Sequence, residues 1–246
     1  MGIDFAGLLK EGARELGVEL NGGQVGQFSA FKDILLEWNE KMNLTAVTDE
    51  AGFLVKHFFD SLSIERHIPV GAAVADVGTG AGFPGVPLLI ARPDCRVTLM
   101  DSLKKRLTFL GDALGRLGIE YAGLVHSRAE DAGREDIHRE KYGVTVSRAV
   151  ADLALLSELS LPLVKAGGLF IAMKGPNAAD EISRAMDTII KLGGELSLVD
   201  RLVLPGAEIM GEEIERTILI IRKIRQTPIK YPRTSAELSR IYKKKG

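Results

Sequence analysis

Four glycines within eight residues form the stretch of this sequence best suited to bind a ligand. Gly78, Gly80, Gly82 and Gly85 follow a short β-favouring run at 73–77 and precede an apolar, helix-favouring segment. Glycine allows positive φ and a close approach of the backbone to a ligand. The start of a helix presents free N–H groups and the positive end of its dipole. The stretch predicts the phosphate- or nucleotide-binding corner of an open α/β sheet.

The position of these glycines relative to the preceding strand helps to distinguish which class of ligand the loop binds. A literal G-x-G-x-x-G occurs at Gly80, Gly82 and Gly85, but the strand ends at Val77, so the turn starts earlier, at Gly78. Counted from the acid Asp76, the pattern is Asp-x-Gly-x-Gly-x-Gly. This register disfavours a nicotinamide-dependent dehydrogenase, in which the first glycine follows the strand directly.

A second acid stands at the spacing that an adenosine ligand requires. Asp101 ends the second predicted strand, 23 residues after Gly78. An acid about 20 residues past the glycine turn can accept hydrogen bonds from ribose hydroxyls. The polar residues Arg128 and Glu130 follow the third strand, where a loop would lie beside the adenine.

Two basic residues end the next strands. Arg148 follows strand four and Lys174 follows strand five, so both are candidate contacts to a substrate base or phosphate. His57 and Asp60 are three residues apart and share a helix face, which fits either a hydrogen-bonded histidine or a substrate contact. No further His or Cys at ligand spacing accompanies them, so the sequence predicts no metal site.

Composition narrows the class of protein. The 246 residues carry a net charge of −1 and a single cysteine, Cys95, which excludes an internal disulfide. No apolar run approaches the length of a membrane span, and charged residues near the N-terminus argue against a secretory signal. We therefore expect a cytoplasmic protein. Residues 222–246 carry nine basic residues against one acid, which suggests a tail directed at phosphates.

The elements that must position these residues form an α/β alternation. Apolar spacing predicts helices at 4–16 and 25–42, whose aromatic residues are assigned to the core, and a further helix around His57. The remaining predicted elements are strands at 73–77, 96–100, 122–126, 143–147 and 169–173, helices at 152–165 and 178–191, and closing strands near 195–204 and 217–222. We predict three parts: a helical N-terminal extension at 1–68, a core at 69–225 and the basic tail at 226–246.

Several motifs together carry a family resemblance. Asp76-Val-Gly-Thr-Gly-Ala-Gly-Phe-Pro-Gly85 and Leu99-Met-Asp-Ser-Leu-Lys-Lys-Arg106 resemble the bacterial small-subunit ribosomal RNA guanine-N7 methyltransferases, the glucose-inhibited division protein B family. Further matching pieces, in family order, are Trp38-Asn39, Asn43-Leu44-Thr45, His57-Phe58-Phe59-Asp60-Ser61-Leu62, Ser127-Arg128-Ala129-Glu130, Ser147-Arg148-Ala149, Met173-Lys174-Gly175 and Tyr231-Pro232-Arg233. The chain departs from the family after Arg233, where a Gly-Thr-Pro segment is replaced by Thr-Ser-Ala-Glu-Leu.

The resemblance implies a Rossmann-like class I S-adenosylmethionine methyltransferase sheet with an N-terminal helical extension. It implies that the protein transfers the cofactor's methyl group to N7 of a guanine in small-subunit (16S) ribosomal RNA, acting as a monomer on the RNA or the assembling subunit. It places residues at each end of the cofactor as follows: Gly78, Gly80 and Phe83 at the methionine end, Asp101 at the ribose, Ala129 and Glu130 near the adenine, and Arg148 beside the cofactor and the incoming guanine.

The reaction so implied needs no general base, because guanine N7 already carries a free lone pair. Arg148 and Lys174 are therefore expected to position the substrate rather than to move protons. Three alternatives stay open at this point: a methyltransferase acting on another RNA, on a protein or on a small molecule, a dehydrogenase, and a ribosome-assembly protein that binds RNA without catalysis.

Overall fold

The computed structural model describes residues 3–148 and 151–242, and within it the strands form one mixed seven-stranded sheet. The strands are β1 (Ala73–Val77), β2 (Arg96–Asp101), β3 (Gly123–His126), β4 (Tyr142–Arg148), β5 (Val164–Lys174), β6 (Gly194–Val203) and β7 (Glu215–Lys223). Their order across the sheet is β3-β2-β1-β4-β5-β7-β6, and β7 runs antiparallel to both β5 and β6, whereas the other neighbouring pairs are parallel. The α/β class and the closing antiparallel pair predicted from the sequence are confirmed.

The strand order creates a crevice at the carboxyl ends of β1 and β4. The chain moves outward from β1 through β2 to β3 and then returns to the other side of β1 as β4. Open α/β sheets bind ligands at such a reversal point. Register brings the ends of the strands together, since Val77 pairs with Met100 and Asp101 with His126.

Helices cover both faces of the sheet. They are α1 (Phe5–Glu15), α2 (Gly22–Met42), α3 (Glu50–Gly52), α4 (Asp60–Leu62), α5 (Gly85–Ala91), α6 (Lys104–Arg116), α7 (Ala129–Ala132), α8 (Leu153–Ser160), α9 (Ala179–Lys191) and α10 (Ser235–Tyr242). The N-terminal helices pack with α5 and α6 over one face, and α8 with α9 covers the other. Strand side chains alternate accordingly, with Ile171 in the first core and Phe170 in the second.

Aromatic residues tie the N-terminal helices to the glycine loop. Asn21 and Gln24 form a capping box that starts α2. Phe31 of that helix lies 5.5 Å, between ring centroids, from Phe83 in the loop and 6.4 Å from Phe109 of α6. Phe28 and Phe31 are fully buried, which confirms their predicted place in the core, whereas Trp38 is only half-buried and packs at the edge of that core.

The helix around His57 contains an irregularity that the sequence did not predict. Residues Phe53–Phe59 form a π-helical turn between α3 and α4. Such turns are rare and shift the side chains that follow them relative to a regular helix. Here His57 and Asp60 are both buried and face the carboxyl ends of the strands.

Two predicted elements differ from the structure. The helix expected at 152–165 ends at Ser160, because Pro162 lacks an N–H and its ring blocks helix continuation. A 3₁₀ turn at Leu161–Leu163 follows, and β5 then begins at Val164 rather than at 169.

The C-terminal segment also differs from the expected basic tail over its described part, 226–242. Arg139 donates to the carbonyls of Thr227 and Tyr231, at 2.8 and 2.7 Å, and Arg134 donates to that of Pro232 at 2.9 Å. The chain is therefore fastened to the core and ends in α10. Lys243, Lys244 and Lys245 lie outside the described residues, so a role for them at phosphates stays a prediction.

Over the described ranges, no helix has the length and apolar character needed to cross a membrane.

Candidate functional site

The glycine loop is held to the end of β2 by backbone hydrogen bonds. Gly78 and Thr79 both donate their N–H groups to the carbonyl of Met100, at 3.0 Å. Gly80 donates its N–H to Oδ2 of Asp101, also at 3.0 Å. Gly78 and Gly80 have φ of +74° and +60°, a region that side chains with a Cβ disfavour. The loop conformation therefore favours glycine at both positions.

Asp76 connects the two ends of the glycine loop by hydrogen bonds. Its Oδ2 accepts hydrogen bonds from Oγ1 of Thr79 at 2.7 Å and from N of Gly85 at 2.9 Å, which ties the start of the loop to the start of α5. Burial raises the pKa of Asp76 to about 6, although both donors act in the opposite direction. Its buried Oδ1 has no partner among the described residues.

A cavity of about 760 Å³ opens above this loop. It is lined by all seven residues predicted to bind the cofactor: Gly78, Gly80, Phe83, Asp101, Ala129, Glu130 and Arg148. The structure thus brings together residues that span 70 positions of the sequence.

Asp101 presents a fixed carboxylate in this cavity. It is buried, its Oδ1 accepts from N of Leu103 at 2.8 Å, and its Oδ2 lies 3.2 Å from Nη1 of Arg106. A carboxylate held at the tip of β2 can accept hydrogen bonds from vicinal hydroxyls, as the spacing of the sequence predicts.

Arg148 also lines the cavity and is held in place by the helix that carries Asp60. Its Nη1 donates to Oδ2 of Asp60 at 3.0 Å and to the carbonyl of Lys56 at 2.9 Å. The other carboxylate oxygen of Asp60 accepts from Nε of Arg216 at 2.8 Å. One buried carboxylate therefore orients two arginines, and its own charge balances only one of them.

His57 and Phe83 form a stacked pair beside Arg148. The ring centroids of His57 and Phe83 are 4.3 Å apart, with planes inclined by 16°, and the guanidinium of Arg148 lies 5.0 Å from the centre of the Phe83 ring. Nε2 of His57 is 2.8 Å from Oγ1 of Thr45. Burial, and then the charge of Arg148, lower the pKa of His57 to about 3, so the imidazole is neutral at physiological pH.

Lys174 is not among the residues that line the cavity. Its ammonium group donates to Oε1 of Glu181 on α9 and to the carbonyl of Ala151, both at 2.6 Å. The structure therefore separates Lys174 from the other predicted site residues and engages its charge elsewhere.

Several lining residues gave no usable signal in the sequence. Leu155 and Leu159 line the cavity from α8, and Ser235, Leu238, Ser239 and Tyr242 line it from α10. None belongs to a motif with a fixed spacing from the glycine loop, so only the folded chain identifies them.

The arrangement fits a nucleoside cofactor and gives no sign of a metal centre. A Cβ placed on Gly80 would meet only the carbonyl oxygen of Gly78, at 3.9 Å, so the backbone there leaves open space. The cavity volume lies in the usual range for small-molecule sites. Among residues 3–148 and 151–242, no group of three or more His, Cys, Asp or Glu side chains is arranged to hold a metal ion.

Comparison with known proteins assigns the family. The model of the GidB family, described as rRNA small subunit methyltransferase G, matches residues 24–210. The ribosomal RNA small subunit methyltransferase G of Pelotomaculum thermopropionicum is 49% identical over 231 residues, covering 93% of this chain and 95% of its own. The corresponding protein of Alkaliphilus metalliredigens is 48% identical over 228 residues, covering 92% and 93%.

Solved structures show the same fold at low sequence identity. A candidate methyltransferase from Bacillus halodurans superimposes with a TM-score of 0.51 at 13% identity, covering 68% of this chain and 99% of its own. The fold is thus the Rossmann-like sheet of class I methyltransferases, and the chain belongs to the rRNA small subunit methyltransferase G (GidB) family.

Proposed function

We propose that this protein transfers the methyl group of S-adenosylmethionine to N7 of a guanine in small-subunit (16S) ribosomal RNA. The observation that carries the proposal is the cavity at the strand ends, which is lined both by a buried carboxylate suited to ribose, Asp101, and by a half-buried, oriented arginine, Arg148. Membership of the family supports ribosomal RNA as the substrate.

The residues that would hold the cofactor are those around the glycine loop. Gly78, Gly80 and Phe83 would face its methionine end, Asp101 its ribose hydroxyls, and Ala129 with Glu130 its adenine. The cofactor supplies an electrophilic methyl group on a positively charged sulfur.

The task of the protein is then to orient the guanine. Guanine N7 already has a free lone pair, so no residue has to remove a proton before attack. The low pKa of His57, about 3, agrees with this, because an imidazole that binds a proton so weakly is a poor general base. Holding the reacting atoms at near-attack geometry accounts for roughly 7–11 kcal/mol of barrier reduction in comparable reactions.

Arg148 is the proposed positioning group for the base. The edge of guanine that carries N7 also carries O6, and arginine reads this edge well. For methylation, a donor must bind O6 and leave N7 uncovered. The bonds that Asp60 and the carbonyl of Lys56 accept fix the guanidinium plane, which restricts where its free N–H groups can point.

The proposal extends to the oligomeric state of the enzyme, its location in the cell and the conformation of its substrate. The proposal takes the enzyme to act as a monomer. Its substrate, the small-subunit RNA or the assembling subunit, places it in the cytoplasm. A guanine must be unstacked or lie in a loop to enter such a cavity.

The test is transfer of labelled methyl from S-adenosylmethionine to small-subunit RNA from cells that lack the enzyme, offered both free and assembled. Label in 7-methylguanosine supports the proposal, and the preferred form of RNA shows when in assembly the enzyme acts. Arg148→Ala should lose methyl transfer while keeping its fold. As a control, Arg96→Ala should keep methyl transfer, because Arg96 lies at the start of β2 and Asp101, which lines the cavity, lies at its end. Cofactor binding without label in the RNA would contradict the proposed substrate.

A further inference from the structure

The C-terminal helix α10 begins two residues after Arg233, at the end of the described chain. The segment leading to it is anchored by Arg233, whose N and Nε both donate to Oε1 of Glu158, at 2.9 and 2.8 Å. Glu158 is fully buried in α8, and Oη of Tyr242 donates to its Oε2 at 3.3 Å. Both ends of α10 are thus fixed to one carboxylate in the core.

From this anchorage α10 reaches the cavity. Ser235, Leu238, Ser239 and Tyr242, at positions i, i+3, i+4 and i+7 of one helix face, all line it. Leu238 is buried, so the helix packs against the molecule rather than projecting from it. The helix therefore forms one wall of the cavity.

The contact between α10 and the predicted adenine end is specific. Oγ of Ser235 donates a hydrogen bond to Oε1 of Glu130. Nη1 of Arg128 is 3.8 Å from the same oxygen, beyond hydrogen-bond distance, and its side chain is largely exposed. Among the described residues nothing donates to Oε2 of Glu130. An ionised carboxylate accepts only, so this oxygen remains available to a donor in the cavity.

We propose that α10 forms the outer wall of the base subsite and that Ser235 positions Glu130 to select a purine with an exocyclic amino group. The proposal rests on the proposed function, since it takes the ligand of this cavity to be S-adenosylmethionine. The amino group of adenine donates to Oε2 of Glu130. Hypoxanthine carries an oxygen at that place, and two acceptors repel each other.

The experiment measures binding of two ligands by calorimetry, S-adenosylhomocysteine and its deaminated analogue S-inosylhomocysteine. The wild type should bind the adenosine compound at least tenfold more tightly. Ser235→Ala should weaken that binding about five- to tenfold, because Glu130 loses the hydrogen bond that positions its carboxylate, and should leave binding of the inosine compound nearly unaffected. The ratio between the two ligands should therefore fall.

Controls separate positioning from a general structural effect. Ser235→Thr keeps the hydroxyl group, so the ratio of the two affinities should stay at its wild-type value. Ser183→Ala, on the exposed face of α9, should leave both affinities unchanged. Glu130→Gln provides a second route, since an amide can donate as well as accept and should bring the two affinities together.

An unchanged ratio in both Ser235→Ala and Glu130→Gln would overturn the inference, as would an equal loss for both ligands in Ser235→Ala. A wild type that binds the two ligands equally would overturn it as well. These outcomes leave the proposed function standing if the wild type still methylates small-subunit RNA. Selective binding of S-adenosylhomocysteine without RNA methylation would contradict the proposed substrate alone.

Discussion

Replacing Gly80 by alanine should separate cofactor binding from folding. Gly80 has φ of +60°, and a Cβ there would meet only the carbonyl oxygen of Gly78, at 3.9 Å. The cost to folding is then limited to the left-handed backbone, about 1–2 kcal/mol for a residue with a side chain. For a domain of this size that corresponds to a fall in Tm of about 2–8 °C.

Binding should suffer more than stability. The methyl group added at Gly80 occupies open space at the wall of the cavity, where the loop has to approach the ligand closely. Overpacking of this kind costs about 1–3 kcal/mol. That range corresponds to about five- to 150-fold weaker binding of S-adenosylhomocysteine.

Two other glycines with positive φ provide matched controls. Gly17, at +83°, has nothing within 4 Å of an added Cβ and does not line the cavity, so Gly17→Ala should cost similar stability and leave binding intact. At Gly82, at +90°, the Cβ would lie 2.7 Å from Cγ2 of Val86 and 2.9 Å from Cδ2 of Leu110. Gly82→Ala should therefore lower Tm the most of the three.

Thermal unfolding and calorimetric titration with S-adenosylhomocysteine measure both quantities. Wild-type affinity in Gly80→Ala would refute the assignment of this loop to the cofactor. Equal losses of affinity in Gly80→Ala and Gly17→Ala would also refute it, because the effect would then come from the backbone alone.

Three further changes test the groups around the cavity. Asp60→Asn removes the charge that holds Arg148, so methyl transfer should fall about tenfold or more and stability by about 3 kcal/mol; unchanged transfer would show that Arg148 needs no support from it. Since the pKa of His57 is lowered from 6.5 to about 3, the unfolded state takes up a proton that the native state does not. The contribution of neutral His57 to stability is therefore complete above pH 6.5 and is lost as the pH falls toward 3. The Tm of the wild type should fall more between pH 7 and 5 than the Tm of His57→Gln. Parallel plots of Tm against pH for the two proteins would contradict this. Glu158→Gln leaves the charge of Arg233 without its buried partner, which should cost about 3 kcal/mol and lower Tm by about 6–12 °C; an unchanged Tm would mean that this pair does not anchor the C-terminal segment.

Local patterns in the sequence were sufficient to predict the sheet and one end of the site. Parallel strands place their carboxyl ends at the same edge, so a glycine loop after β1 and an acid after β2 must meet. The same reasoning predicted Arg148 at the end of β4, and the structure places all three features on one cavity. The predictions hold where a residue's position follows from the strand that precedes it.

Lys174 shows where this reasoning stops. It ends β5 as Arg148 ends β4, so the sequence treats the two residues alike. In the folded chain α9 returns over this end of the sheet and brings Glu181 to 2.6 Å from the Lys174 ammonium group. The attraction between opposite charges at this distance decides the direction of the side chain, and it depends on how a helix packs rather than on any local pattern.

Tertiary structure alone determined the rest of the site. Asp60 meets Arg216 across 156 residues of sequence, and Ser235 meets Glu130 across 105. No periodicity or motif spacing encodes such pairs, because each partner follows its own element and the two meet only when the elements pack. The sequence by itself therefore determined the fold, the glycine loop, the acid at the end of β2 and the arginine at the end of β4. Packing decided which groups orient that arginine and which helix closes the outer side of the cavity.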